Sequence, residues 1–281
     1  MNAPDLARPV RPALPSRRRA RRLRLFSRIV GLNIALTFAY RGEFALVQVH
    51  TLLVPLASLL VWRAALAAGA RLPVDGAFLD SYFLLVSAVV VLTSSHAAFF
   101  LPDAIRNGGL NRWLIRPLST HVDFLANNLG EKVVKIALLI PMTAVVTMVV
   151  RGRVALPGTP MRWLLFVIAL VGAAALVYLM DIIASSLAFW FEDLSGILRA
   201  RGAIIPALSG GVVPLALLPP AAAHAMQVQP FRYTLSFPME VLLGTAGAAG
   251  FGWLGFWLLV TSVATAAVWR LGLRSYSAAG A

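Results

Sequence analysis

Long stretches without any charge constrain this chain more than any other feature. Residues 44–62 run for 19 positions, and 82–101 for 20, without one Asp, Glu, Lys or Arg. The hydrocarbon core of a bilayer is about 30 Å thick and takes roughly 20 apolar residues of helix to cross. Inside it every backbone polar group must be satisfied within the chain, which favours helices. A third run, 136–150, extends back through Glu131, Lys132 and Lys135. A fourth, 163–180, is interrupted by Asp181 and continues to Phe191. A fifth, 203–223, is broken by Pro206, Pro214, Pro219 and Pro220, and a sixth covers 251–269. The expected spans are about 44–66, 80–101, 129–150, 163–190, 203–222 and 251–270. The expected fold is an all-α polytopic membrane protein with six transmembrane helices, forming one domain over 44–277.

Composition agrees: 59% of the residues are hydrophobic and 13% charged, against about 25% charged in soluble domains. That excludes a disordered chain and an ordinary water-soluble enzyme. With no cysteine there is no disulfide framework and no thiolate-ligated metal.

The net charge of +14 first suggests nucleic acid, but the position of the bases argues otherwise. With six spans, 19 of the 25 Lys and Arg fall on the side that holds both termini and 6 on the other. Positive charge marks the cytoplasmic side, so both termini are expected in the cytoplasm. Anionic lipid accounts for the basic residues, and no nucleic-acid partner is expected. All but Lys132 and Lys135 are Arg, in keeping with a GC-rich bacterial genome.

Residues 1–21 read as a basic disordered tail and 22–43 as an amphipathic helix in the interface. Leu25, Ile29, Leu32 and Leu36 recur there at helical spacing beside an Arg cluster. The alternative is a basic tail running straight into the first span.

Two connections on the basic side carry candidate contacts. Between the second and third spans, Leu110, Trp113 and Leu114 share one face of a short helix. Gly108-Gly109 precedes that helix and Pro117 follows it. An apolar face on a basic loop suits docking into a partner's groove, and equally Trp113 could be an interfacial anchor. Between the fourth and fifth spans, Glu192, Asp193 and Arg199 surround a short apolar helix, a second contact or a plain solvated turn.

Asp181 is the one acid well inside an apolar run, where a charge costs about 2.5–3.5 kcal/mol. It either faces a water-filled pathway or forms a structural ion pair. Pro214, in the broken fifth run, and Glu240 are further pathway candidates. On the outer side 224–244 is too apolar for an aqueous loop and too Pro-rich for one helix. It reads as a re-entrant pair of short helices before the last span, or as an amphipathic cap.

Enzyme signatures are missing. There is no P-loop, no His-Glu-x-x-His and no Gly-x-Ser-x-Gly. The four His are scattered, so no catalytic residue, metal site or bound cofactor is assigned. Two other function classes stay open. One is an intramembrane lipid-modifying enzyme using Asp181, Glu240 and His224. The other is an ATP-independent channel or scaffold.

The order of elements resembles the permease subunits of bacterial ABC type 2 exporters. One matching pattern runs Ile105-Arg106-Asn107-Gly108-Gly109-Leu110-Asn111-Arg112-Trp113-Leu114-Ile115-Arg116-Pro117. A second runs Pro230-Phe231-Arg232-Tyr233 through Pro238 to Leu242-Leu243-Gly244. Residues 40–44 before the first span and Arg270 to Tyr276 after the last also look similar. The resemblance covers about 22–277.

It implies a non-catalytic subunit in the inner membrane, exporting substrate with ATP and Mg bound by a separate ATPase subunit. A second permease chain, identical or related, would complete the transporter. The helix at 22–43 would be the elbow helix. Arg106, Leu110, Trp113, Leu114 and Arg116 would form a coupling helix on the ATPase. Phe231, Tyr233, Phe237 and Pro238 would belong to an outer re-entrant gate.

Overall fold

The computed structural model describes residues 15–95, 97–114, 120–150 and 159–276. These residues are helical apart from short turns and linkers. The helices are α1 (Pro15–Ala39), α2 (Arg41–Ala67), α3 (Gly76–Thr93), α4 (Ala97–Arg106), α5 (Asn111–Leu114) and α6 (Thr120–Val150). They continue with α7 (Pro160–Ser186), α8 (Ser195–Ser209), α9 (Pro220–Val228), α10 (Ser236–Leu243) and α11 (Ala249–Ser275). Gly76–Thr93, Pro160–Phe189 and Ala249–Ser275 are long and apolar enough to cross a membrane, and α2 adds the apolar stretch Thr51–Ala67. The chain is an all-α membrane protein, and these helices are compatible with six spans.

Several expected boundaries move, each for a physical reason. The amphipathic helix begins at Pro15, seven residues into the stretch expected to be tail. Proline suits a helix start, where its missing N–H is not needed. The helix ends at Ala39, and residues 41–43 are the first turn of α2. Residues 1–14 of the expected tail lie outside the described residues.

The second expected span, 80–101, is two helices. Thr93 Oγ1 donates to the Val89 carbonyl and Ser94 Oγ to that of Val91. Hydroxyls that bond back to the preceding turn favour termination. Lys132 Nζ then donates to the carbonyls of Leu92 (2.7 Å) and Ser94 (2.9 Å), so a cation closes the helix C-terminus.

The fifth expected span, 203–222, is not one helix either. It begins earlier, at Ser195, and stops at Ser209, where Gly210 takes φ +90°. Only glycine adopts that conformation cheaply. Pro214 and Pro219 flank the short 3₁₀ turn Leu215–Leu217 that follows, where, lacking N–H donors, they do not continue an α-helical ladder.

α7 is the central helix, touching α3, α4, α10 and α11. Its contact with α11 is close because Gly172 has no side chain: a Cβ there would come within 2.7 Å of a Leu254 methyl. Small residues at helix crossings let the remaining atoms interlock, the main attraction between helices in lipid. One apolar cluster joins α2, α3 and α10 around Leu79, Phe83 and Met239. A second joins α7, α10 and α11 around Leu176, Tyr233 and Phe237. A third, around Leu101, Leu110, Ile182 and Trp269, fills the end of the bundle that carries Arg106 and Arg199, termed the basic end below.

α1 lies along α6. Asn33 donates its amide to Asn127 Oδ1. Three residues on, Gly130 leaves room for the α1 backbone, since a Cβ would sit 2.8 Å from the Val30 carbonyl oxygen.

Candidate functional site: a two-loop surface and buried ion pairs

The basic end is built from two turns. After α4 the chain reverses at Gly108 (φ +70°), and Leu110 N–H donates to the Ala104 carbonyl at 2.9 Å. This drops Leu110 into the cluster with Leu101, Ile105, Phe124 and Leu194, where it is fully buried. Trp113 follows it inward, its ring 5.0 Å from Phe124. The expected docking face of Leu110, Trp113 and Leu114 is therefore divided. Leu110 and Trp113 hold the turn to the bundle, because four aromatic and aliphatic neighbours compete for them more strongly than water does. Leu114 points outward, 44% exposed. Arg116 lies outside the described residues.

The second turn, 190–194, follows a 3₁₀ turn at Leu187–Phe189. Leu194 is buried in the same cluster as Leu110. Asp193 accepts from Ser195 N–H at 2.8 Å and from its hydroxyl at 3.0 Å. It thereby closes the start of α8, where free N–H groups favour a negative charge. That backbone hydrogen bond holds the Asp193 carboxyl below its ordinary pKa, with smaller help from Arg199 and Arg106. Arg106 pairs with Asp103 and donates to the Glu192 backbone carbonyl, so the two turns form one surface. Glu192 enters this link through its backbone. Trp190, Phe191 and Ile197 are exposed around it. In sequence Trp190 closes the fourth expected span, 163–190, whereas in the structure it follows the 3₁₀ turn after α7.

Deeper in the bundle lie the charged residues. Asp181 is wholly buried and paired with Arg201 of α8. The structure thus gives it an ion-pair partner within the chain. Lys135, also buried, bonds Glu131 at 2.6 Å and Ser94 Oγ at 2.7 Å.

Between α8 and α11 the chain makes a hairpin. α9 leads to Gln229, whose amide donates to the Leu208 carbonyl at 2.8 Å. A 3₁₀ turn, Pro230–Thr234, then leads into α10. The rings of Tyr233 and Phe237 meet at a tilt, centroids 5.3 Å apart, and are fully buried beside α7 and α11. Pro238 is buried with them, and Phe231 is half-buried. Three of the four residues expected at a gate are therefore core in this conformation, because the hairpin sits among helices and not over them. Glu240 is paired with Arg232. Pro214 is buried in the linker after α8.

Asp181 and Glu240 are each taken by their own arginine, and His224 is exposed on α9. The structure does not bring these three into one reaction centre. Among the described residues no group of three or more His, Asp and Glu is placed to hold a metal ion.

No curated protein shows significant similarity to the chain. The family model of the ABC-2 family transporter proteins matches residues 74–280, from the start of α3 past the end of α11. Both motif-bearing segments fall inside the match. The chain is a membrane protein with a transport permease's role, and it belongs to the ABC-2 transporter family.

Proposed function

We propose that this chain is the permease subunit of an ATP-driven exporter. A separate ATPase subunit docks on the basic end, which faces the cytoplasm of a bacterial inner membrane. The ATPase holds ATP and Mg, and a second permease chain completes the pathway.

The observation that carries this reading is the Arg106 bridge to the Glu192 carbonyl. It joins two turns far apart in sequence into one surface, and apolar side chains stand exposed on it: Leu114, Trp190, Phe191 and Ile197. A single-chain globule gains nothing from apolar groups held out at a basic, watery end. A partner that covers them does. The contact set is thus Arg106, Leu114 and 190–199, with Leu110 and Trp113 supporting it from behind.

Purification in mild detergent tests the reading. An ATPase is expected to co-purify with the chain, and Leu114→Glu together with Phe191→Glu to release it while the permease stays folded. Retention of the ATPase by that double variant refutes the docking surface. Export that proceeds without ATP in liposomes refutes the coupling.

A further inference from the structure

Met161, Leu164, Ile168 and Val171 recur at steps of three and four along α7, and each is at least half exposed. Such spacing draws one stripe along a helix, here about 15 Å long. The stripe then stops. No residue from Gly172 to Ser186 is exposed, because α4, α11 and the Leu187–Phe189 turn pack onto that part of the helix. The step falls at Gly172, where Leu254 of α11 comes into contact. α7 belongs to a segment long and apolar enough to cross the membrane, Pro160–Phe189. The open stripe therefore takes up one leaflet's share of the hydrocarbon core, about 15 Å.

Arg162 stands at the top of the stripe, in the first turn of the span, at the end opposite the basic end. Its guanidinium lies on Gly244, the residue that closes α10. A Cβ at Gly244 would meet Cζ at 2.6 Å and the two terminal nitrogens at 2.7 and 2.9 Å. Three near-equal distances put the flat face of the group on the glycine and leave its N–H edge turned away. The α10 carbonyls of Glu240 and Val241 are already taken, by the N–H groups of Thr245 and Ala246 and of Gly244. Arg63 and Arg232, at the same end, hold Asp80 and Glu240. Among the described residues the Arg162 side chain has neither an ion-pair partner nor a hydrogen-bond acceptor. It is thus seated by packing while its donors stay open. Trp163 beside it is part-exposed, its ring edge-on to Phe166 at 6.0 Å, and Trp favours the headgroup level.

We propose that the start of α7 binds one phospholipid of the adjoining leaflet. Its phosphate pairs with the Arg162 guanidinium, whose planar fork matches two phosphate oxygens. One acyl chain lies along Met161 to Val171 and ends at the step. The depth of the stripe argues for a lipid and against a second protein helix: a helix would lie along α7 across both leaflets, whereas an acyl chain ends at the midplane. Gly244 is part of the site, since any side chain there would lift the guanidinium off its seat. The inference does not depend on the ATPase.

The full chain, stripped of lipid in detergent, is titrated with phosphatidylglycerol and separately with diacylglycerol bearing the same acyl chains. Native mass spectrometry counts the bound lipid. The first phosphatidylglycerol is expected to bind at least about tenfold more tightly than diacylglycerol, and Arg162→Ala to weaken it by about tenfold. Arg162→Lys should fall between, keeping the charge without the fork. Val171→Trp, which builds into the lower end of the stripe and leaves Arg162 in place, should also weaken it. Both residues are exposed, so the variants should fold. Equal binding of diacylglycerol overturns the site, as does binding unchanged in Arg162→Ala or in Val171→Trp. The chain has no cysteine, so Ile168→Cys supplies an independent check. Disulfide-linked pairs of chains in native membranes would mean that a second copy covers the stripe, and would also overturn the site.

Discussion

Asn33 of α1 and Asn127 of α6 share a side-chain hydrogen bond where the two helices cross. Polar side chains between helices at a membrane add roughly 0.6 kcal/mol each, so the bond alone is weak. What makes the crossing specific is Gly130 beside it, with the Val30 carbonyl oxygen 2.8 Å from where a Cβ would stand. A backbone atom cannot rotate out of the way. Gly130→Ala is therefore expected to push α1 off α6 and cost about 1–3 kcal/mol. Loss of a disulfide engineered between the two helices, in an otherwise stable chain, is the measurement.

Leu110 and Leu114 lie one helical turn apart and are expected to respond oppositely. Leu110→Ala removes a fully buried side chain and should cost about 2–5 kcal/mol, read as a lower thermal midpoint. Leu114→Ala should leave that midpoint within about 0.5 kcal/mol and lower ATPase binding instead. Equal loss of stability in both variants contradicts the division of this turn into a buried and a docking side.

The fork between Arg63 and Asp80 joins α2 to α3 at the end opposite the basic end. Asp80 is buried and Arg63 is about one-third exposed. Asp80→Asn leaves a buried amide facing a cation and should destabilise by about 1–3 kcal/mol. Arg63→Lys should recover only part of the native value, because an ammonium cannot make both contacts. Thermal unfolding of the two single variants checks this.

The turn before α8 is expected to be acid-sensitive. Asp193 titrates below its ordinary value because Ser195 N–H donates to the charged form. Its folded pKa is thus lower than its unfolded one, so its stabilisation is fully present above about 3.9. That stabilisation is lost as pH falls through the folded value. Chemical shifts of a selectively labelled Asp193 should report the depressed titration, and Asp193→Asn should abolish the acid-dependent loosening of 190–194.

Gly210 links the end of α8 to α3 and α10. An alanine there meets both a left-handed backbone and the hydroxyls of Ser236 and Tyr82. The strained backbone alone costs about 1–3 kcal/mol. Gly210→Ala should therefore weaken the hairpin's attachment, seen as faster hydrogen exchange at 208–210.

Much of this architecture is legible in the linear chain, and the reasons it is not wholly so are local. Charge-free runs locate α2, α7 and α11 within a few residues, because lipid demands both length and apolarity of a span. The break after Thr93 is harder to read. It depends on Lys132, a residue 38 positions from Ser94, whose side chain stabilises a helix end that Thr and Ser only permit. The apolar face of the basic loop is legible in the spacing of Leu110, Trp113 and Leu114, but which side of it turns inward is not. Leu110 and Trp113 look alike to Leu114 in spacing, and the presence of Leu194 and Trp269 behind them decides which side turns inward. Asp181 could be recognised as costly in isolation. Its partner Arg201 could not, since it reads as part of a loop until Ser195 is seen to begin a helix.

The fastening of the last turn of α8 also has a bearing on biogenesis. Chains emerge from the ribosome N-terminus first. Tyr82 is already in the membrane when Leu208, Ser209 and Gly210 arrive, but Gln229 and Ser236 follow 21 and 27 residues after the carbonyls they serve. Until then two backbone acceptors lack their protein donors. The end of α8 and the hairpin therefore complete each other's hydrogen bonding only once both have been made.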